Sequence, residues 1–251
     1  MRLLLRNELL GDIMTIALRT AALLGALTAA TACTPLEMER PDAPPSAMEE
    51  AMLAGIGHNM DDGALSLAGA TGFYTRDAGT EWAGMNSRHE GFARFTIRRG
   101  DIDGDLEGRC RSEAVDLSHG SVSMRARPLS YRCRFERDGE RIDAHLELEE
   151  KPAWKDERQG YIFLGGRRID IRSTHGSPQL AYGSGAPLGY TFSAEGQDIG
   201  GIDLTNEFKK VYLPRDYAYR EAAIAASVAL ALFRDVDAEG FDGAFNPPDR
   251  E

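Results

Sequence analysis

Cysteine is scarce in this sequence, and the motifs of common catalytic sites are missing. Only three cysteines occur in 251 residues, and none forms the CxxC pairs of a structural zinc site. The histidines lack HExxH spacing, Gly183-Ser184-Gly185 lacks the spacing of a GxSxG elbow, and the glycine-rich run 176–189 precedes no helix that could hold phosphate. The sequence therefore predicts no catalytic residue, no metal ligand and no cofactor site, and it favours a protein without catalytic activity.

The sequence also contains no block of one charge sign. Its formal net charge is -11, from 29 basic and 40 acidic residues. A surface that binds nucleic acid needs clustered Lys and Arg, so this balance excludes nucleic acid as an expected partner.

The first 32 residues have the composition of a targeting segment. Arg2, Arg6 and Arg19 supply positive charge, and residues 20–32 are uncharged and mostly Ala and Leu. This apolar run has the length of a signal-peptide core and falls short of the roughly 20 residues that span a bilayer. The small residues 30–32 precede Cys33 and resemble the lipobox of bacterial lipoproteins, except that Ala30 stands where leucine is usual.

The lipobox resemblance implies that residues 1–32 are removed and that Cys33 carries the lipid. The protein would then be anchored to a membrane of the bacterial envelope and face the periplasm, with the inner or outer membrane left open. Two alternatives remain at this point. A plain secretory signal could end near Ala32 with Cys33 incidental, and Met14 is a possible alternative start.

Two segments, one before and one after the predicted domain, have the composition of irregular chain. Residues 33–64 contain Pro35, Pro41, Pro44 and Pro45, which favours an extended, flexible tether that would hold a domain away from a membrane surface. Ser46 with Glu49 could cap a short helix through Leu53. Residues 235–251 are acidic and end near two prolines, which is typical of a disordered tail.

Residues 65–214 alternate apolar and polar side chains with the period of two that marks half-buried strands. Tyr131, Cys133 and Phe135 provide one example, and the Asp138-Gly139 pair that follows favours a hairpin turn. Gly165-Gly166 and Glu195-Gly196 are the predicted turns of two further hairpins. Many short strands at regular spacing predict an antiparallel barrel or, alternatively, a β-sandwich with a packed C-terminal helix.

Cys110 and Cys133 each lie within an Arg-Cys-Arg string. Paired cysteines usually join in an exported protein, so we expect a Cys110–Cys133 disulfide, with two free core thiols as the alternative. The flanking arginines alternate with the core face. We interpret them as cross-strand partners of Asp143, Glu147 and Glu149 and not as a ligand site.

Residues 216–234 predict a helix with an unusual composition. From Ala222 to Phe233 its only polar residue is Ser227, so no face is left for water and the helix must be surrounded. The apolar run of about 12 residues is too short to span a membrane. The economical solution is a thin helix inside a closed antiparallel barrel, in a domain that covers residues 65–234.

This arrangement resembles the tubby-like barrel family, which includes the phospholipid scramblases and the plant LURP-one proteins. The resemblance implies about twelve strands around one hydrophobic C-terminal helix. It rests on the strand series, the hairpin 189–204 and the order of strand 210–213 before the helix. No residue of this sequence matches a functional residue of the family, so lipid signalling and scrambling do not carry over.

Two smaller patterns complete the search for chemistry. Asp101, Asp103, Asp105 and Glu107 alternate with other residues, but their spacing departs from an EF-hand loop, and we interpret them as a solvated edge. His89, His119 and His175 sit in segments that look like loops.

Three hypotheses of function remain. The first is a lipid-anchored, non-catalytic envelope protein that binds an envelope protein or an apolar ligand. The second is an envelope hydrolase with a site assembled at the barrel mouth, around His119 or His175. The third is a purely structural lipoprotein.

Overall fold

The computed structural model describes residues 35–57, 59–83, 85–119, 122–151 and 156–234, and strands dominate them. Strands are numbered in chain order. They are β1 (Met48–Leu53), β2 (Asp62–Leu67), β3 (Ala70–Ala83), β4 (Asn86–Arg98), β5 (Leu106–His119), β6 (Val122–Arg137), β7 (Glu140–Glu150), β8 (Arg158–Leu164), β9 (Arg167–Thr174), β10 (Gly189–Ala194), β11 (Gln197–Asp203) and β12 (Lys209–Pro214). One α-helix, α1 (Tyr217–Leu232), follows β12.

The twelve strands form one antiparallel sheet that is nearly closed into a barrel. Each strand from β2 to β12 pairs with its neighbour in sequence, and β1 pairs with β12 at the far edge. The two edges of the sheet meet at a bridge between Ala54 and Ser66. This confirms the predicted mainly-β barrel with one C-terminal helix, and the sandwich alternative is wrong.

The helix α1 fills the interior of the barrel. Its side chains from Ala222 to Ala226 and from Val228 to Leu230 are almost completely buried. Large side chains of the strands surround it, among them Phe95, Tyr131, Phe135, Tyr190 and Phe192. The small alanines explain the fit, because a thin helix leaves room for aromatic rings in the space between helix and wall. Within the described residues no helix is long and apolar enough to cross a bilayer.

Both ends of α1 are satisfied by specific partners. At its start, the Asp216 carboxylate accepts a hydrogen bond from the Ala218 N–H at 2.9 Å, as an N-cap does. At its end, the Tyr131 hydroxyl donates to the Ala229 carbonyl at 2.8 Å and Arg76 donates to the Ala231 carbonyl at 3.3 Å. Carbonyls at a helix C-terminus lack partners within the helix, and the cationic Arg76 also complements the helix dipole there. Burial raises the pKa of the Tyr131 hydroxyl, which keeps it a neutral donor.

The helix gives the barrel two distinguishable ends. We call the end where α1 begins the lower end and the end where it finishes the upper end. The connections β4–β5 and β6–β7 lie at the lower end, where Asp101 and Arg137 contact the first turn of the helix through Arg220 and Glu221. The alternation of antiparallel strands then places the β3–β4, β5–β6, β9–β10 and β11–β12 connections at the upper end.

The predicted turns have the backbone that their residues favour. Asp138 and Gly139 have φ values of 51° and 81°, and Glu195 and Gly196 have 53° and 80°. Positive φ at two successive residues defines the tight hairpin turn whose twist matches paired strands. These short turns set the register of β6 with β7 and of β10 with β11.

The expectation of a flexible tether over residues 33–64 is wrong for its described part. Residues from Leu36 onward belong to the same compact unit as the barrel. The segment after Leu36 lies along the outside of the barrel, where Met38 packs with Leu188 and Tyr212. It then continues as β1 and β2. The buried side chains of Met38, Met48 and Leu53 outweigh the prolines, which here keep the chain extended against the barrel wall.

Two other local expectations fail. A short helix does not follow Ser46, because only Pro45–Ala47 forms a 3-10 turn and Met48 begins a strand. The histidines 89 and 119 lie within strands β4 and β5 and not in loops. The predicted signal segment 1–32, Cys33 and the acidic tail 235–251 lie outside the described residues.

Candidate functional site

The structure brings Cys110 and Cys133 directly opposite each other on β5 and β6. Their Sγ atoms lie 2.11 Å apart, at disulfide-bond distance, and both side chains are buried on the inner face of the sheet. This pair is the one that the sequence predicts. Because side chains alternate along a strand, the residues that flank both cysteines point outward.

Those flanking residues are all arginines, and they form two cross-strand rows. Arg109 stands directly opposite Arg134, and Arg111 stands directly opposite Arg132. On the other side of β5, Arg94 stands opposite Arg109. Like charges in directly opposed positions destabilise a sheet. The stability of the β5–β6 pairing therefore does not explain why arginines stand opposite each other.

These rows line a groove of about 690 Å³ on the outer face of β4 to β7, which we call the arginine groove. Cys110 and Phe135 contribute to its floor, and Glu113 and Glu136 to its sides. Its arginines are Arg88, Arg109, Arg111, Arg132, Arg134 and Arg141. Six arginines against two glutamates give this groove a positive lining in a chain whose net charge is -11.

Glutamates at the margins neutralise part of this charge. Glu107 accepts from Arg94 and Arg109 at 2.8 and 2.6 Å, and Glu90 accepts from Arg111 at 3.1 Å. The hydrogen bond from Arg94, reinforced by Arg109, lowers the pKa of the Glu107 carboxyl. The arginine side chains of these pairs are more than half exposed, whereas the glutamates are largely covered. Pairs with a solvated partner contribute little to stability.

Arg132, Arg134 and Arg141 are neutralised least. Arg132 lies 3.6 Å from Glu149, with about half or more of each side chain exposed. Arg134 and Arg141 also line an adjoining pocket beside His145 and Asp143. Three guanidinium groups on one wall offer planar donor forks, which suit phosphate and carboxylate oxygens.

The interpretation of these arginines as cross-strand partners of Asp143, Glu147 and Glu149 is correct for Arg132, which stands directly opposite Glu147 and forms an ion pair with Glu149. Arg109 and Arg111 instead pair along the strand and with β4 and β6, through Glu107, Glu136 and Glu90. The reason is register: Arg111 and Arg132 lie in one row with Glu147, whereas Glu90 and Glu113 form the neighbouring row. Sequence alternation identifies the outward face but not which residues become neighbours across strands.

A second polar cluster surrounds His89 near the upper end of β3 to β6. Its Nδ1 lies 2.9 Å from the Thr80 hydroxyl, and its Nε2 lies 3.1 Å from an Asp116 carboxylate oxygen. The Ser87 hydroxyl lies 3.3 Å from the same Nε2. Arg125 binds the other oxygen of Asp116 at 2.5 Å. The chain hydroxyl–imidazole–carboxylate has the order of a proton relay.

The remaining histidines do not join this cluster within the described residues. His175 Nε2 lies 3.0 Å from the Ser173 hydroxyl, and its Nδ1 lies 3.1 Å from the Ser184 carbonyl. Ser173 also accepts the Arg158 backbone N–H and is buried. This pair therefore fastens the end of β9. The backbone of His119 ends β5, and His145 packs against Tyr161 on the outer face.

The acidic residues of segment 101–107 contact different partners. Asp101 binds Arg220 of α1, Asp105 donates its backbone N–H to Asp138, and Glu107 binds arginines. Among the residues that the structure describes, no three His, Cys, Asp or Glu side chains converge as metal ligands would. Asp101 and Glu107 therefore fasten the helix and the outer face and do not share a solvated edge.

No protein-family model, no curated protein and no solved structure matches this chain.

Proposed function

We propose that this chain is a lipid-anchored protein of the bacterial envelope that binds an anionic partner through the arginine groove and catalyses no reaction. The observation that carries the binding role is the pair of arginine rows across β4, β5 and β6. A fold under selection for stability alone gains from opposite charges in opposed positions. Opposed arginines instead concentrate donors toward a ligand that supplies the missing negative charge.

The filled barrel supports binding at the outer surface. An apolar ligand inside the barrel needs a cavity beside the helix, and the buried residues of α1 occupy that space. Binding therefore takes place on the outer surface, and the partner presents phosphate or carboxylate groups in place of an apolar body. The strand count and the central helix agree with the tubby-like resemblance. That resemblance concerns the architecture and implies no activity for this chain.

The disulfide-distance pair supports the same role. It joins β5 and β6 directly beneath the four arginines that flank the cysteines. A covalent bond at this position holds the opposed guanidinium groups together against their repulsion. Such preorganisation reduces the cost of binding.

The test uses inorganic tripolyphosphate as the probe, with affinity measured by calorimetry at low salt. Replacing Arg132 and Arg134 together by Ala should lower the affinity at least tenfold, which is roughly the loss of one charge-assisted contact. Arg172, exposed on the outer face of β9, provides the matched control, and Arg172→Ala should bind as the parent protein does. Equal affinities for all three proteins would refute the groove, as would no binding to the parent.

The hydrogen-bond chain from Thr80 through His89 to Asp116 favours a second candidate, an envelope hydrolase. In that case Thr80 is the nucleophile, His89 the base and Asp116 the group that orients the imidazole. This differs from the expectation that a hydrolytic site would lie around His119 or His175. Hydrolysis of a small activated ester, lost on replacing either Thr80 or His89, tests it.

A further inference from the structure

The chain enters the described structure at the upper end of the barrel, in a fixed position. The Leu36 carbonyl accepts hydrogen bonds from the Thr205 hydroxyl at 2.7 Å and from the Asn206 amide at 3.3 Å. Both donors lie in the β11–β12 connection. Two residues later, the Met38 N–H donates to the buried carboxylate of Asp203 at 2.9 Å. Residue 36 therefore cannot move away from the upper end without breaking these bonds.

The length of the chain then limits where a lipid on Cys33 can be. Two residues lie between Cys33 and Leu36, so the two Cα atoms are three steps apart and at most roughly 10 Å from each other in a fully extended chain. From Leu36 onward the described chain packs on the barrel, so this part of the predicted tether does not hold the barrel away from a membrane. A lipid on Cys33 thus keeps the upper end within about 10 Å of the bilayer surface.

The same end of the barrel carries exposed apolar side chains. The β3–β4 and β5–β6 hairpins run about seven residues past Arg76, which amounts to roughly 20 Å along a strand. Large apolar side chains near their tips and on the loops beside Leu36 are exposed, namely Trp82, Met85, Leu117, Met124, Tyr182 and Phe208. Trp82 is 71% exposed and Tyr182 is 93% exposed. Towards the lower end, the exposed large hydrophobic side chains of the described residues include Phe73 and Tyr217.

We infer that, given the proposed lipid anchor, the upper end of the barrel lies against the bilayer and inserts Trp82 and its apolar neighbours into the lipid interface. Trp and Tyr favour this region because their rings are apolar and their polar atoms stay hydrated. The lower end faces away from the membrane. The arginine groove, on the side of the barrel between the two ends, stays accessible to a partner.

Fluorescence quenching by lipid tests this orientation. The acylated mature protein is reconstituted into phosphatidylethanolamine–phosphatidylglycerol vesicles whose acyl chains carry bromine. The chain has two tryptophans, so Trp154→Phe leaves Trp82 as the reporter. The matched control combines Trp82→Phe, Trp154→Phe and Tyr217→Trp, which moves the reporter to the lower end. Brominated lipid should quench Trp82 emission at least twofold and leave the reporter at position 217 unchanged.

Each other outcome overturns the inference or its premise. Quenching of the reporter at position 217 and not of Trp82 reverses the orientation. If neither aqueous acrylamide nor brominated lipid quenches Trp82, protein covers this side chain, such as a second copy of the chain. If acrylamide quenches Trp82, the upper end is exposed to water and does not contact the lipid. The mass of the N-terminal peptide from the same sample reports acylation separately, so an unmodified Cys33 refutes the anchor and not the geometry of this end.

Discussion

Arg111 and Arg132 stand directly opposite each other on β5 and β6, each one residue away from a cysteine of the pair that joins these strands. The repulsion between their guanidinium groups and the covalent restraint below them act against each other. Under the proposed binding function, this restraint on the two strands reduces the cost of bringing the two arginines together around an anion.

Replacing both Cys110 and Cys133 by Ser should weaken the fold and the groove together. The cysteines are 23 residues apart in sequence, and the chain-entropy model gives roughly 3 kcal/mol for a loop of this size. Urea unfolding should show this loss for the double variant and for the parent protein in reductant. The variant should also bind tripolyphosphate more weakly under conditions where it is folded. Unfolding that is insensitive to reductant in the parent would contradict the disulfide.

Replacing Ala226 by Asp should unfold the barrel or lower its melting temperature strongly. Ala226 is completely buried, and an unpaired charge in such a place costs several kcal/mol, a large part of the stability of an ordinary domain. Ala218→Asp is the matched control, since Ala218 is exposed in the first turn of the same helix. Acidic residues are favourable there, so the control should melt as the parent does. Equal melting of both variants would mean that α1 is not enclosed.

The architecture was predictable because its signals are local and redundant. The period of two, the paired turn residues such as Asp138-Gly139 and the fully apolar stretch 222–233 each point to the same fold. The packed segment from Leu36 to Leu53 was not predictable, because Met38 becomes buried only through contacts with Leu188 and Tyr212, more than a hundred residues away. Proline content indicates an extended chain but not what lies beside it.

The candidate site was predictable only in part, for a related reason. The Arg-Cys-Arg strings showed that four arginines share the outward face. Register determines that they oppose each other and that Glu90 and Glu107 become their partners, and register depends on turns and bulges of several strands. The His89 cluster was not predictable from the sequence, because Thr80, His89 and Asp116 come from three different strands and share no local pattern.

Cys33 should carry a lipid in the mature protein. The small residues 30–32 before it and the charge-free run 20–32 motivate this expectation. Mass spectrometry of the N-terminal peptide should show a diacylglyceryl or triacylated cysteine, since a single acyl chain anchors only marginally. Cys33→Ser should leave the protein without this modification and outside the membrane fraction. A mature chain that begins downstream of Ala32 with an unmodified cysteine would contradict the lipobox.

Replacing Glu107 by Gln should change both pH dependence and anion binding. Hydrogen bonds from Arg94 and Arg109 hold the pKa of Glu107 below its ordinary value near 4.5. Glu107 therefore stabilises the fold above that ordinary pKa, and this contribution disappears as the pH falls through the lower pKa of the folded state. The stability difference between parent and variant should be constant at neutral pH and shrink below about pH 4.5. At pH 7 the variant should bind tripolyphosphate more tightly, because Arg94 and Arg109 lose a competing carboxylate. Weaker binding by the variant would mean that Glu107 orients the arginines.

Replacing His89 by Ala should not change anion binding by the arginine groove. His89 links Thr80 and Asp116 on β3 and β5, and its side chain is largely buried. Losing these hydrogen bonds should cost about 1–3 kcal/mol, while Arg125 still binds Asp116. The variant should therefore melt at a lower temperature, fold at 25 °C and bind tripolyphosphate with parental affinity.

Thr80→Val separates this structural role from a catalytic one, because it removes the hydroxyl and keeps the shape of the side chain. Under the binding proposal, parent and both variants hydrolyse an activated ester at the same background rate. If the parent hydrolyses the ester well above that rate and both variants lose the activity while they remain folded, the Thr80–His89–Asp116 chain is catalytic. In that case the proposal of a non-catalytic binding protein is wrong.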